Sequence, residues 1–332
     1  MNGMPWKTRR GITTAACAVA LAVAVWAAPA RAANGFDRTL KVAEPATVEV
    51  HTGSGNIHVT RGDSGTVVVH AEMRSGHGWM SGDSDAEQRM REIEKNPPIE
   101  QSGNTVRIGM THDNDLYRNI SISYEVRVPA QTRLEGHTGS GNFEASGVQL
   151  DVTGTTGSGN VRVADVGGRV ELTTGSGDVE IRAAHNGAQL KAGSGTVRGE
   201  NISGSVRASS GSGDVRLELV GAGDVEASSG SGNVRVHGAK GSLRAHTGSG
   251  DVEATGEQHG DWRLNTGSGN VSVELPAGAA FELDAHSGSG TIQTSREITV
   301  QGTLSRHDIR GRAGTGGPLL EVRTSSGSIY LK

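Results

Sequence analysis

A four-residue unit, Thr/Ser-Gly-Ser-Gly, recurs along this chain at nearly constant spacing, and no other feature limits the fold as strongly. It begins at Thr52, Thr138, Thr156, Thr174, Ser210, Ser229, Thr247, Thr266 and Ser287. Ala192-Gly193-Ser194-Gly195 is a near match, and Thr324-Ser325-Ser326-Gly327 is a degenerate last copy. From Thr138 onward most copies lie 18 or 19 residues apart, and the last step, to Ser287, is 21. A fixed short period is the signature of stacked repeats, in which each unit buries its apolar side only against its neighbours.

The flanking residues say what each unit is. Counting from the Thr/Ser, positions −4 and −2 are apolar or small, as in Val170/Leu172 and Leu243/Ala245. Position +5 is β-branched in Ile57, Val161, Val179, Val197, Val215, Val234, Val252, Val271, Ile292 and Ile329. Position +7 is often apolar, and the residues between are polar. Alternation of period two on both sides of a turn means two short strands per coil. The expected fold is all-β: a β-solenoid (a single-chain β-helix or roll) with coils of about 18 residues. An N-terminal β segment carrying a short helix precedes it. Stacking at about 4.8 Å per coil makes about ten coils a rod of roughly 50 Å. Glycine is 51 of 332 residues and aromatics are 3 %, which suits thin β-structure better than a thick core. The Gly-Ser-Gly glycines are expected to supply positive φ at the turn.

The expected segments are 1–32, 33–136 and 137–332. Lys7, Arg9 and Arg10, the apolar Thr13–Ala28 stretch and Ala30-Arg31-Ala32 read as an export signal cleaved after Ala32. The arginine pair leaves both general and twin-arginine export open. The only cysteine, Cys17, lies early in that stretch, where a lipid-anchored cysteine would sit at its end. The expected mature chain has no disulfide, no cysteine-ligated metal, no cofactor and no integral membrane segment. It carries 28 basic and 36 acidic residues, a net charge of −8, which argues against nucleic acid as partner. Between Thr52 and Thr138 the period lapses. Val67–His70, Val106–Met110 and Ile120–Val128 read as strands, and Ser84-Asp85-Ala86-Glu87 opens a helix reaching about Lys95, ended by Pro97-Pro98.

Few residues stand out as chemistry. Asp178, Asp214 and Asp251 follow the turn in alternate coils and are the candidates for calcium, although calcium needs six to eight oxygens. Position +6 places Arg198, Arg216 and Arg235 in a basic stripe suited to an anionic glycan, with Glu180 between two arginines. Position −1 carries His51, His137, His246 and His286. With coils stacked in sequence order, residues such as Thr155, Ser228 and Asn265 separate them, so no zinc ladder is expected. His77, Trp79 and Met80 lie in a Gly/Ser loop, either as a lid on the first coil or as a binding tip.

A signal segment, then Tyr124-Glu125-Val126-Arg127-Val128-Pro129, then repeated Ser-Gly-Asp-Val and Ser-Gly-Asn-Val strands resemble the bacterial putative adhesins. That is a domain family of unknown function with β-strand repeats. The resemblance spans residues 36 to 332. It implies a β-solenoid in the periplasm or on the cell surface, and it brings no catalytic residues. The leading expectation is therefore a non-enzymatic adhesin or envelope scaffold for a polysaccharide or an envelope or surface protein. The alternatives are a calcium-binding β-roll and a β-helix polysaccharide-degrading enzyme. The sequence contains no G-x-S-x-G elbow, HExxH or P-loop to support the latter.

Overall fold

In the computed structural model, residues 34–76, 84–109, 115–300 and 305–332 are described. Met1–Arg31 and Ala32–Lys332 separate as two units, and the second is one compact body. Two long sheets run its length. The leading sheet, of 15 described strands, collects the strands before each Gly-Ser-Gly turn. The trailing sheet, of 14, collects those after it. In the middle of the rod each strand pairs in parallel with the equivalent strand one coil on. Val152 sits between Leu134 and Val170, and Val179 between Val161 and Val197. The two-strand solenoid expected from the period is what forms.

The inward columns are almost pure aliphatic. Val161, Val179, Val197, Val215, Val234, Val252 and Val271 are fully buried, facing Leu172, Leu190, Leu243 and Leu264. One coil departs from this by volume exchange. Phe143 occupies the column that valine or isoleucine holds in the other Gly-Ser-Gly coils, and the opposite column has glycine at 136 and 154. A Cβ on Gly136 would lie 2.0 Å from the Phe143 ring, and one on Gly154 2.5 Å from it. The ring thus fills space that two missing side chains leave.

The glycines of the turn have a different cause from the one expected. Among the described residues, none of those from Gly53 to Gly250 has positive φ. What excludes a side chain is the coil below: a Cβ on Gly159 would lie 1.9 Å from the Gly141 carbonyl oxygen, and one on Gly157 2.4 Å from that of Gly139. Left-handed backbone belongs instead to the opposite corner. It recurs there at Gly147, Asp165, Ala183, Asn201, Gly238 and Gly256, with φ of 54–56° at the three non-glycines.

Both ends break sequence order. The segment after the first coil does not stack forward. Thr105–Ile108 and Ile120–Val128 form a further coil on the outer side of Ala46–Thr52 and Ile57–Arg61. The chain then returns to lay Thr132–Thr138 on their inner side. Antiparallel strands Gly35–Lys41 and Thr66–Ser75 flank this coil. The helix α1 (Ser84–Lys95) packs there, burying Ala86, Met90 and Ile93 along one stripe. At the other end Leu319–Ser326 inserts between Trp262–Ser268 and Phe281–Ser287. The last Thr-Ser-Ser-Gly copy is therefore not the last coil. Asp308–Ala313 and Ile298–Val300 close that end antiparallel. Arg296 donates to the carbonyls of Ala277 (2.8 Å), Lys332 (3.0 Å) and Leu275. Antiparallel closure shields ends that would otherwise offer open strand edges to other chains.

Candidate binding surfaces

From Thr138 onward the Thr/Ser that opens each turn is buried, and its hydroxyl is a clamp; Thr52, half-buried in the first coil, donates to the Ile122 carbonyl instead. Thr156 donates to the Gly141 carbonyl of the preceding coil at 2.8 Å and accepts the N–H of its own Gly159 at 3.1 Å. Thr138, Thr174, Ser210, Ser229 and Ser287 make the same two bonds. Thr247, Thr266 and Thr324 make the donated one. This explains why the repeat demands a hydroxyl before the glycines, a role the sequence pattern does not reveal. Ala192 is the one copy without it.

The position after the turn is a second ladder. The side-chain oxygen of each Asn or Asp accepts the N–H of the equivalent residue one coil on: Asn142 from Asn160, Asn160 from Asp178, Asp178 from Thr196, at 2.8–2.9 Å. Asp214 accepts from Asn233, and Asp251 from Asn270. One oxygen of each calcium candidate is thus committed to the backbone. The three stand two coils apart, and among the described residues no three His, Cys, Asp or Glu side chains gather as a metal group.

Arg198, Arg216 and Arg235 lie in line on the solvent face of the trailing sheet, in adjacent coils. The stripe is internally neutralised. Arg198 pairs with Glu200 at 2.6 Å, and Arg216 with Asp214 at 2.5 Å. Arg235 reaches Glu253 at 3.4 Å. The hydrogen bond to Glu200 raises the affinity of the Arg198 guanidinium for its proton. Glu180 stands beside Arg162 (3.5 Å) and Arg182 (2.6 Å). A shallow recess of about 370 Å³ lies among His58, Glu144, Arg162, Glu180 and Arg182.

The histidine column needs correction. His246 is flanked by Ser228 and Asn265, as expected. His51 and His137, however, are direct neighbours, because the intervening segment loops outward. Their rings stack with centroids 4.7 Å apart. His137 bonds Glu135 at 2.8 Å. Burial, and then the neighbouring His137, hold the His51 pKa below its ordinary value, against the pull of Glu135 and Glu49. His286 lies at the far end, 2.6 Å from Asp308. His77, Trp79 and Met80 lie outside the described residues.

No described helix is long and apolar enough to cross a membrane. No curated protein matches the sequence. Two crystal structures align with most of it. One is of a putative cell adhesion protein from Clostridium sporogenes, at 12 % identity, covering 90 % of this chain and 99 % of that one, with a TM-score of 0.22. The other is of a putative adhesin from Bacteroides fragilis, at 13 % identity, covering 91 % and 99 %, with a TM-score of 0.31. The family model described as Toastrack DUF4097 matches residues 81–332, most of the chain, and the chain belongs to that family.

Proposed function

We propose that the chain acts without catalysis, as an exported adhesin or envelope scaffold whose rod holds an extended ligand, either a polysaccharide or a protein of the envelope or surface. The observation that carries this reading is the pair of long solvent faces, on which outward positions line up from coil to coil in parallel register, with a shift between Gly199 and Ile202. A surface that repeats at about 4.8 Å suits a ligand that also repeats along its length. The N-terminal stretch read as an export signal supports a place in the periplasm or on the cell surface.

The test is protease accessibility on intact cells, read with an antibody to the mature chain and with fractionation controls. Cleavage in cells whose periplasm is sealed is the result expected of an adhesin. Protection until the outer envelope is opened removes the adhesin form and leaves the envelope scaffold. Retention in the cytoplasm contradicts both.

A further inference from the structure

The two faces of the rod balance their charge differently. From Arg162 to Arg235 on the trailing sheet, each arginine of the face has a carboxylate within 4.0 Å. On the leading sheet, over the five coils from Arg169 to Arg244, the carboxylates are engaged instead. Glu171 accepts from Gln189 at 3.0 Å, Glu226 binds Arg207 at 2.7 Å, and Asp224 accepts the Ser242 N–H at 3.0 Å. Arg169, Lys191 and Arg244 are exposed on this stretch, and their side chains have no ion-pair or hydrogen-bond partner among the described residues. Four cations thus face three occupied carboxylates, on a mature chain that is acidic overall.

The stretch also has shape. A trough of about 460 Å³ runs across the coils, lined by Arg169, Gln189, Arg207, Asp224, Glu226 and Arg244. Beside it the neighbouring column is small and hydroxylated, with Thr173, Ser209 and Ser228 in successive register around Lys191. Four coil steps separate the strands of Arg169 and Arg244, so the cations span about 19 Å along the rod.

We propose that this trough, together with the column beside it, binds an extended acidic polysaccharide, its carboxylates on Arg169 and Arg244 of the trough and Lys191 of the column, and its hydroxyls on Gln189 and the column's serines and threonine. The inference rests on the binding-module reading above and names the face and the ligand class. Three features select this occupant. Strands in mid-sheet are paired on both sides, so a peptide finds no open edge to extend. The only exposed large apolar side chain among the described residues is Val220, on a corner, so a protein partner finds no anchor here. A neutral glycan leaves the three cations without partners, whereas a polyanion gives each a charge-assisted bond.

The test is binding of the purified chain to polygalacturonate, with dextran and inorganic polyphosphate as comparisons. The expected result is binding to polygalacturonate that weakens with salt and exceeds binding to either comparison. The triple variant Arg169→Ala/Lys191→Ala/Arg244→Ala is expected to raise Kd about tenfold or more. The triple Arg198→Ala/Arg216→Ala/Arg235→Ala, on the opposite face, is expected to leave it unchanged. Melting curves check that both triples fold, and the milder double Arg169→Gln/Arg244→Gln gives the same comparison. No binding, equal loss in both triples, or equal retention of polyphosphate overturns the proposal. Retention of dextran alone also overturns it while leaving the binding-module reading intact.

Discussion

The middle of the rod and its two ends use the same repeat in opposite ways. From Thr138 to Thr266 neighbours in space are neighbours in sequence, one coil apart, and the hydroxyl ladder lacks a rung only at Ala192. At the ends the same motif pairs across long stretches of chain. The first coil meets partners on both sides only after the intervening segment has looped out, and the last motif copy slips inside the coil before it. A repeat therefore specifies the shape of a coil but not its place in the stack. Placement at an end is decided by what can close the open edge.

The largest effect that separates these regions is steric. Gly157→Ala drives a Cβ to 2.4 Å from the Gly139 carbonyl oxygen, and is expected to cost about 3 kcal/mol in a denaturant titration. Gly53→Ala, in the same motif position as Gly157 but on the first coil, meets nothing within 4 Å. It is expected to change stability by under about 0.5 kcal/mol. Equal losses would show that the turn glycines serve backbone conformation, not coil contact.

The hydroxyl ladder gives the next effect. Thr156→Val leaves the Gly141 carbonyl and the Gly159 N–H unpaired in a buried turn, an expected cost of about 1–3 kcal/mol. Ala192→Thr supplies the missing rung and is expected to add about 1 kcal/mol. At the opposite corner Ala183 holds a φ of 56°. Ala183→Gly is expected to stabilise by about 1 kcal/mol, because an alanine pays for left-handed backbone and glycine does not. A destabilised Ala183→Gly variant would refute the left-handed corner.

The smallest effect belongs to the first coil. His51 is held below its ordinary pKa of 6.5 by burial and by His137. The folded chain therefore takes up this proton less readily than the unfolded one. The stabilising contribution is complete above about pH 6.5 and declines as pH falls through that value toward the lowered folded pKa. The melting temperature of His51→Gln is thus expected to fall less than that of the parent between pH 7 and 5. Parallel curves would mean that His51 is not held below its ordinary pKa in the folded chain.

The coil is written plainly in the sequence. Period-two alternation at Val170/Leu172 and Val179/Ile181 gives the strands, and the Gly-Ser-Gly spacing gives the coil length. The helix at Ser84–Lys95 follows from its acidic first turn and the prolines behind it. What escapes is whatever depends on the neighbour in space. The turn glycines look like positive-φ residues until the carbonyl beneath them is seen. The Phe143 ring cannot be matched to Gly136 and Gly154 without the register. His51 and His137 look isolated because 86 residues separate their motifs. The Arg198, Arg216 and Arg235 stripe is correctly aligned, but its neutralisation by Glu200, Asp214 and Glu253 depends on side-chain geometry.

Paired cysteines read the order of coils at the ends directly, in a chain whose only cysteine, Cys17, is replaced. Arg263 is in register with Glu321, and Glu321 with Asp284. Under mild oxidation, or with a short bifunctional thiol reagent, Arg263→Cys/Glu321→Cys is expected to cross-link readily. Arg263→Cys/Asp284→Cys, two coils apart, is expected to remain free. Cross-linking of the second pair and not the first would mean that the coils stack in sequence order and that the inserted final coil is wrong.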